Sequence, residues 1–346
     1  MKIIGCDFHP SFQQIAMLDL ETGEYTRKKL GHANGEAAEF YRALAGEVRV
    51  GVEATGSTRW FERLLEELGQ ELVMGDATRI RKLAVRRQKT DARDAEHLLE
   101  LLEQGRFPAI WVPSTEEREL RQLVLHRHKL VQMRTRIKNQ LQHVALNEGL
   151  QKKRQLWSQQ GRRWLEELPL PPWSAQRRAD LLHFLDQLTV KVDQLDQAVI
   201  EAGQQDARVR LLRTHPGVGP VTALAFVLVV GEVARFPRSK KLTSYLGLIP
   251  SEDSSGTRRR LGAISKQGNP LLRTLLVEAG QSAARYDPEL RRAYQRLCRK
   301  KQHTGTAKVM VARKLAVRLY WMLKTQRPYQ PARMQDSPGH SVSTAR

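Results

Sequence analysis

Cysteine is scarce: Cys6 and Cys298 are the two cysteines of the 346-residue chain. That excludes a disulfide framework and a cysteine-rich zinc module, and it fits a reducing compartment. Long apolar runs are missing too. The longest, Val221 to Gly231, falls well short of the roughly 18 residues a membrane span requires. The N-terminal MKIIGCDFHP has neither the apolar centre nor the small-residue cleavage site of a secretory signal, so a cytoplasmic location is expected. Acid is in short supply: 37 Asp and Glu face 58 Lys and Arg, a formal net charge of +21. No internal repeat is visible. The hydrophobic share of 40% is enough for a sizeable core and excludes wholesale disorder. At roughly 100–200 residues per domain, the length predicts two or three domains.

The positive surplus favours a polyanion partner, nucleic acid first and an anionic membrane surface second. The charge is clustered. From Arg79 to Arg93 there are seven basic residues (Arg79, Arg81, Lys82, Arg86, Arg87, Lys89 and Arg93) opposed by Asp91 alone. From Arg235 to Arg273 there are nine, including Arg258, Arg259, Arg260 and Lys266, against Glu252 and Asp253. An isolated charge run is usually a solvated face. Two runs that each flank candidate chemistry point instead to phosphate contacts and salt-dependent binding.

Residues 1–114 read as a mixed α/β unit. Ile3–Cys6, Phe12–Leu18 and a segment near Tyr25–Leu30 have strand character, with a turn at Glu21-Thr22-Gly23-Glu24. Gly35–Ala45 has helical spacing and Val48–Val52 reads as a strand. Ser57 is expected to cap a helix that Gly69 ends, Glu71–Met74 is another strand, and helices follow near Thr78–Arg87 and Ala92–Glu103. Three meandering strands followed by strands alternating with helices predict a mixed sheet with helices on its faces. Residues 115–205 carry Leu, Val and Met at three- and four-residue spacing, with Gly and Pro rare in Glu116–Gln142 and Ala175–Gly203. They predict two long amphipathic helices, a coiled-coil hairpin suited to dimerisation. Residues 206–327 read as a second compact, mostly helical unit, and the Pro/Ser/Gln-rich 328–346 as a disordered tail.

Four carboxylates stand out in the first unit. Asp7 follows the first strand, Glu53 follows the strand Val48–Val52, and Asp91 and Asp94 open a helix three residues apart, where they share a face. Each alone has a plain structural reading: a strand-end turn, a solvated acid, a charge that suits a helix N-terminus. Asp76, which also follows a strand, is read as structural. Four converging carboxylates would repel one another unless a cation neutralised them, and hard oxygen ligands suit Mg²⁺ or Mn²⁺. A pair of such ions would clamp the attacking and leaving oxygens of a phosphodiester.

Two further segments bear on chemistry. His215-Pro216-Gly217-Val218-Gly219-Pro220 reads as a helix–hairpin–helix turn, in which Gly217 and Gly219 let backbone N–H groups face a phosphate. Its plain alternative is a tight helix–helix connection. The stretch Ser251-Glu252-Asp253-Ser254-Ser255-Gly256-Thr257-Arg258-Arg259-Arg260 is by composition a polar basic loop. Its functional reading is a nucleophilic serine beside an arginine trio. The residues alone do not choose among Ser254, Ser255 and Ser265, and no Ser-His-Asp order is evident.

In family order, Gly5-Cys6-Asp7, Val52-Glu53-Ala54-Thr55-Gly56, Lys89-Thr90-Asp91-Ala92-Arg93-Asp94-Ala95, Pro216-Gly217-Val218-Gly219, Tyr245-Leu246-Gly247-Leu248-Ile249-Pro250, Ser255-Gly256 and Ile264-Ser265-Lys266-Gln267-Gly268-Asn269 span nearly the whole chain. Together they resemble the DEDD transposases of bacterial insertion sequences, the Piv/MooV-like site-specific recombinases whose better-studied members use a bridge RNA. The resemblance implies a RuvC-like, RNase H-type N-terminal domain, a coiled-coil middle and a helical C-terminal transposase domain. It implies that Asp7, Glu53, Asp91 and Asp94 bind the metal and that Ser255 forms a phosphoserine bond with DNA, with Ser254 leaving an ambiguity of one position. It also implies a homo-oligomer, a dimer or tetramer, in which one subunit's acidic site meets another's serine. The implied partners are the element ends, the target DNA and a structured guide RNA, with action at the nucleoid.

The reading is therefore a DNA transposase that cuts and rejoins strands through a Ser–DNA intermediate. Arg79, Arg86, Arg87, Lys89, Gly217, Gly219, Arg258, Arg259, Arg260 and Lys266 are its candidate nucleic-acid contacts. The first alternative is a RuvC-like hydrolytic endonuclease of the junction-resolvase type, in which metal activates water and Ser255 is a loop residue. The second is a non-catalytic nucleic-acid-binding scaffold.

Overall fold

The first strand is apolar on both faces, and that places it inside a sheet rather than at its edge. In the computed structural model, which describes residues 1–54, 56, 58–84, 90–150, 156–252, 260–301 and 304–331, the chain divides into two compact units, 1–112 and 113–346. The first opens with β1 (Lys2–Phe8), β2 (Phe12–Asp19) and β3 (Tyr25–Gly31), followed by α1 (Glu36–Ala43), β4 (Val48–Glu53), α2 (Arg59–Glu67), β5 (Glu71–Gly75), α3 (Ala77–Leu83) and α4 (Asp91–Glu103). They build a five-stranded mixed sheet in the order β3-β2-β1-β4-β5. β1 pairs antiparallel with β2 and parallel with β4.

Alternation along β1 sorts its side chains between two layers. Ile4, Cys6 and Phe8 pack with Ile15, Tyr41, Val50, Val52, Phe61 and Leu65 beneath α1 and α2. Ile3, on the opposite face, packs with Ala16, Ala95 and Leu99 beneath α4. Gly5 shares that second face. A Cβ on Gly5 would lie closer than 3.0 Å to the Ala95 carbonyl oxygen and the Leu99 nitrogen, so α4 rests directly on the strand. Two helix boundaries differ from expectation. α2 begins after Thr58, whereas Ser57 lies outside the described residues. α3 ends at Leu83, short of the expected Arg87, and Asp76 caps its start by accepting from the Arg79 N–H.

The second unit is built from α5 (Thr115–Asn147), α6 (Gln159–Glu166), α7 (Pro172–Gln205), α8 (Ala207–Arg213), α9 (Pro220–Val230), a 3₁₀ turn at Val233–Arg235, α10 (Ser239–Tyr245), β6 (Pro250–Glu252), β7 (Leu261–Ile264), α11 (Pro270–Tyr286), α12 (Pro288–Lys301) and α13 (Thr304–Thr325). α5 and α7 lie against each other and are joined by a two-pronged Arg127–Asp196 ion pair at 2.8 and 3.1 Å. α6 closes one end of this helical pair with Leu165, which packs among Leu141, Leu181 and Leu185. α9 is the centre of the unit: every residue from Thr222 to Val230 is buried. The apolar run Val221–Gly231 is thus the middle of a helical core, and no described helix is long and apolar enough to cross a membrane.

The basic stretch after Pro250, read by composition as a loop, carries a two-stranded antiparallel ribbon of β6 and β7 at its ends. Residues 253–259 between those strands lie outside the described residues. Tyr329, expected within a disordered tail, is instead held. Its N–H donates to Thr214 Oγ1 at 2.9 Å, its ring lies 4.4 Å from that of His215, and its hydroxyl donates to Asp287 Oδ2. From residue 332 onward the tail lies outside the described residues.

Candidate functional site

Asp7 is the penultimate residue of β1, on the face that carries Gly5. Because α4 rests on Gly5, the first turn of that helix arrives beside Asp7. Thr90 caps α4 by accepting the Arg93 N–H, which places Asp91 and Asp94 in the first turn. His9, just past the strand, joins them. Its Nε2 lies 3.0 Å from Asp7 Oδ2 and 3.7 Å from Asp91 Oδ1. One donor atom each from Asp7, His9 and Asp91 falls within 4.8 Å of the others, and this is the group of potential metal ligands among the described residues.

The electrostatics match that crowding. Burial raises the Asp7 carboxyl above the ordinary range; His9 opposes the rise by charge and hydrogen bond, while the Asp94 and Asp91 carboxylates add to it. Asp94 is therefore close enough for Asp7 to feel, although it stands outside the three-residue group. Glu53 is the last residue of β4, one past the Cys6–Val52 register pair, so its backbone neighbours that of Asp7 across parallel strands. Its side chain is engaged elsewhere: Oε1 lies 3.6 Å from the Arg81 guanidinium of α3. Of the four expected carboxylates, the structure brings Asp7 and Asp91 together, keeps Asp94 nearby and pairs Glu53 with an arginine.

Sequence reasoning does not single out His9 or Arg81 as site residues. No spacing rule ties a turn histidine to a helix start more than eighty residues later, and Arg81 was one charge in a run. The other expected residues of this unit divide simply. Arg79 and Lys82 are exposed on α3, whereas Arg86, Arg87 and Lys89 lie outside the described residues.

In the second unit, Gly217 has φ 84°, and a Cβ there would collide with the Ala283 backbone of α11, so its conformation has a packing cause. Gly219 caps the N-terminus of α9, and a Cβ there would meet nothing within 4 Å. His215, before them, is buried. Burial holds its imidazole below its usual pKa; a hydrogen bond to the Pro216 carbonyl opposes this, and the Arg318 charge reinforces it. Among the candidate serines, Ser265 has its Oγ sealed from solvent. Ser254, Ser255, Arg258 and Arg259 lie outside the described residues, between β6 and β7; Arg260 and Lys266 are exposed at the far side of that segment. Gly247 and Gly268 form a clasp, since a Cβ on either would strike the backbone of Gln267 or Tyr245 respectively. Arg273 completes it by donating to the Gln267 and Gly268 carbonyls at 2.6 and 3.1 Å.

A carboxylate-rich site at the end of a five-stranded mixed sheet, in a strongly basic chain, suits a protein that processes nucleic acid. Comparison with known proteins narrows that class. Residues 4–148 match the DEDD transposase model of the IS110 type, described as a transposase, and residues 209–295 match the family described as transposase IS116/IS110/IS902. A probable family 20 transposase of Pseudomonas aeruginosa is 28% identical over 82% of this chain and 84% of its own length. The transposase for insertion sequence element IS1111A of Coxiella burnetii is 28% identical over 83% of this chain and 79% of its own. A pilin gene-inverting protein of Moraxella lacunata is 27% identical over 43% of this chain and 47% of its own. The chain belongs to the DEDD transposases of insertion sequences, and transposases act on DNA by cutting and rejoining it.

Proposed function

We propose that this transposase cuts and rejoins DNA at the ends of an insertion sequence and at its target through a serine–DNA bond, with a divalent cation held by the acidic site. The observation that carries the metal-dependent half is the meeting of Asp7 and Asp91 at β1 and the start of α4. Two carboxylates brought together at a strand end and a helix start suit a divalent ion. Asp7 and Asp91 would hold it, Asp94 would add negative charge one turn along the helix, and Glu53 would be its further carboxylate if freed from Arg81. A bound Mg²⁺ or Mn²⁺ supplies electrostatic stabilisation of the charge that develops on phosphate.

Ser255 is the nucleophile in this reading. Its Oγ attacks phosphorus, the Ser–O–P bond forms, the bond to one ribose oxygen breaks, and that oxygen takes up the proton the serine gives up. The strand is rejoined when a deoxyribose hydroxyl attacks the phosphoserine and releases Ser255. The phosphodiester energy is kept in the protein–DNA bond, so resealing needs no outside energy source. Arg258, Arg259 and Arg260 steady the phosphate. The first unit is the RuvC-like part, the α5–α7 pair is the multimerisation arm, and the second unit presents the serine and the Gly217–Gly219 turn to DNA. A structured guide RNA occupies part of the basic surface. The inverting activity named for the Moraxella relative supports recombination over plain hydrolysis.

The test is covalent trapping. The full chain is incubated with labelled element-end DNA, the neighbouring transcript and Mg²⁺, then run on a denaturing gel beside Ser255→Ala and Asp7→Ala. An adduct present in wild type and lost in both variants is expected. Free cleaved ends without an adduct, lost in Asp7→Ala and kept in Ser255→Ala, would replace the serine mechanism with a hydrolytic nuclease.

A further inference from the structure

A site made of carboxylates alone has no role for His9, yet its ring is placed with care. The His9 N–H donates to the Phe12 carbonyl at 2.9 Å, closing the turn from β1 to β2. The imidazole stacks on the Phe12 ring with centroids 4.6 Å apart and planes inclined by 26°. The Lys29 ammonium lies 4.1 Å from the centre of that same Phe12 ring. Backbone and stacking together hold the imidazole with Nε2 toward Asp7 and Asp91, at 3.0 and 3.7 Å. An octahedral ion with bonds of about 2.1 Å sets neighbouring donor atoms about 3.0 Å apart and opposite ones about 4.2 Å apart. The separations from Nε2 fall in that range, whereas Glu53 is turned to Arg81.

We propose that His9 is a nitrogen ligand of the divalent-cation site, completing with Asp7 and Asp91 a mixed nitrogen–oxygen set that favours a transition ion such as Mn²⁺, which accepts an imidazole, over Mg²⁺. This rests on the metal-dependent reading above and deepens it. Mg²⁺ is served best by oxygen, and it gives up water reluctantly for other donors; a neutral imidazole adds more to the affinity of a transition ion. Phe12 is a positioning residue that acts through the His9 ring. The competing account is an imidazolium–carboxylate ion pair that only occupies the place of a cation. The two accounts differ in sign: removing a ligand weakens metal binding, whereas removing a competing cation strengthens it.

The experiment uses the full-length chain, Mn²⁺ and Mg²⁺ alone as probes, calorimetric titration, and pulsed electron paramagnetic resonance of bound Mn²⁺ to detect directly bonded nitrogen. Wild type is expected to show the nitrogen coupling. His9→Gln is expected to lose it and to bind Mn²⁺ at least about tenfold more weakly, with a smaller loss for Mg²⁺. Phe12→Leu keeps the coupling with an intermediate affinity. Asp7→Asn loses binding of both ions. Wild type without nitrogen coupling, or His9→Gln binding Mn²⁺ as tightly as wild type or more so, overturns the His9 assignment while loss in Asp7→Asn leaves the carboxylate site standing. Mn²⁺ binding that survives Asp7→Asn overturns the metal reading itself. The wild-type resonance measurement needs no variant, so it decides the ligand question even if His9→Gln fails to fold.

Discussion

A methyl group at position 5 would press into the backbone of α4 at Ala95 and Leu99, and a helix backbone cannot swing aside as a side chain does. The strand and the helix would have to separate, and Asp91 rides on that helix. Gly5→Ala is therefore expected to cost the first unit about 1–3 kcal/mol as overpacking and to weaken Mn²⁺ binding, although residue 5 touches no ligand. Thermal melts and a metal titration on one preparation check both; a loss of stability with unchanged metal affinity would disconnect the packing from the site. The neighbouring Cys6 tests the opposite layer of the same strand chemically. It is buried, its Sγ bonds Gln13 Oε1 at 3.1 Å, and burial pushes its thiol well above the ordinary range. Cys298 is only half-buried. A maleimide is expected to label Cys298 in the folded chain and Cys6 only on unfolding. Rapid labelling of both would mean that the strand carrying Asp7 opens readily.

Where α11 meets α12, one carboxylate ties three segments together. Asp287 accepts the Leu290 N–H at 2.7 Å, pairs with Arg318 of α13 at 2.6 Å, and accepts the Tyr329 hydroxyl from beyond that helix. Burial alone would raise its pKa, but the Tyr329, Leu290 and Arg318 bonds prevail and hold it below the usual carboxylate range. Burial and the Asp287 charge in turn push the Tyr329 phenol up to about 12, so the hydroxyl stays a donor. A carboxylate with a depressed folded pKa contributes stability above its unfolded value, about 3.9, and loses it as pH falls through the folded value. His215 acts earlier on the acid side. Its lowered pKa means that protonation favours the unfolded chain once pH falls below about 6.5. Acid destabilisation of this unit is thus expected in two stages. Asp287→Asn should lower stability by about 3 kcal/mol, because Arg318 keeps Glu289 but loses its buried partner, and should shrink the second stage to what Asp206 still contributes. Melting temperature against pH for wild type and variant reads both effects. Other elements show why some of this was legible in advance and some was not. β1 to β5 announce themselves by short apolar runs and by turn residues, and α5 and α7 by long helical spacing in which Gly and Pro are rare. The β6–β7 ribbon has strands of three and four residues, too short for any period to show. Asp7 and Asp91 were readable as acids at a strand end and a helix start. The Glu53–Arg81 pair and the His9 placement are tertiary facts, set by how α3 and the β1–β2 turn lie on the sheet.

Over the whole molecule charge is the feature that prevails, with 58 cationic side chains against 37 anionic ones. A chain so unbalanced repels itself unless a polyanion shares its surface, and DNA is the polyanion on which a transposase acts. Binding should therefore be driven largely by counterion release. The logarithm of affinity falls with the logarithm of salt by about 0.9 for each phosphate contacted on duplex DNA. α3 offers a direct test, because Arg79 and Lys82 are exposed on the helix whose Arg81 pairs with Glu53. Neither belongs to the donor group of Asp7, His9 and Asp91. Replacing both with Ala should leave Mn²⁺ affinity unchanged and flatten the salt slope by about 1.8, two contacts at 0.9 each. The measurement is a fluorescence titration of a duplex at several salt concentrations, with wild type and variant side by side. A slope that does not move would take α3 off the DNA path and leave the second basic cluster, from Arg235 to Arg273, as the main phosphate surface. A slope that falls together with Mn²⁺ affinity would instead mean that the α3 charges stabilise the acidic site itself, by balancing the repulsion among its carboxylates.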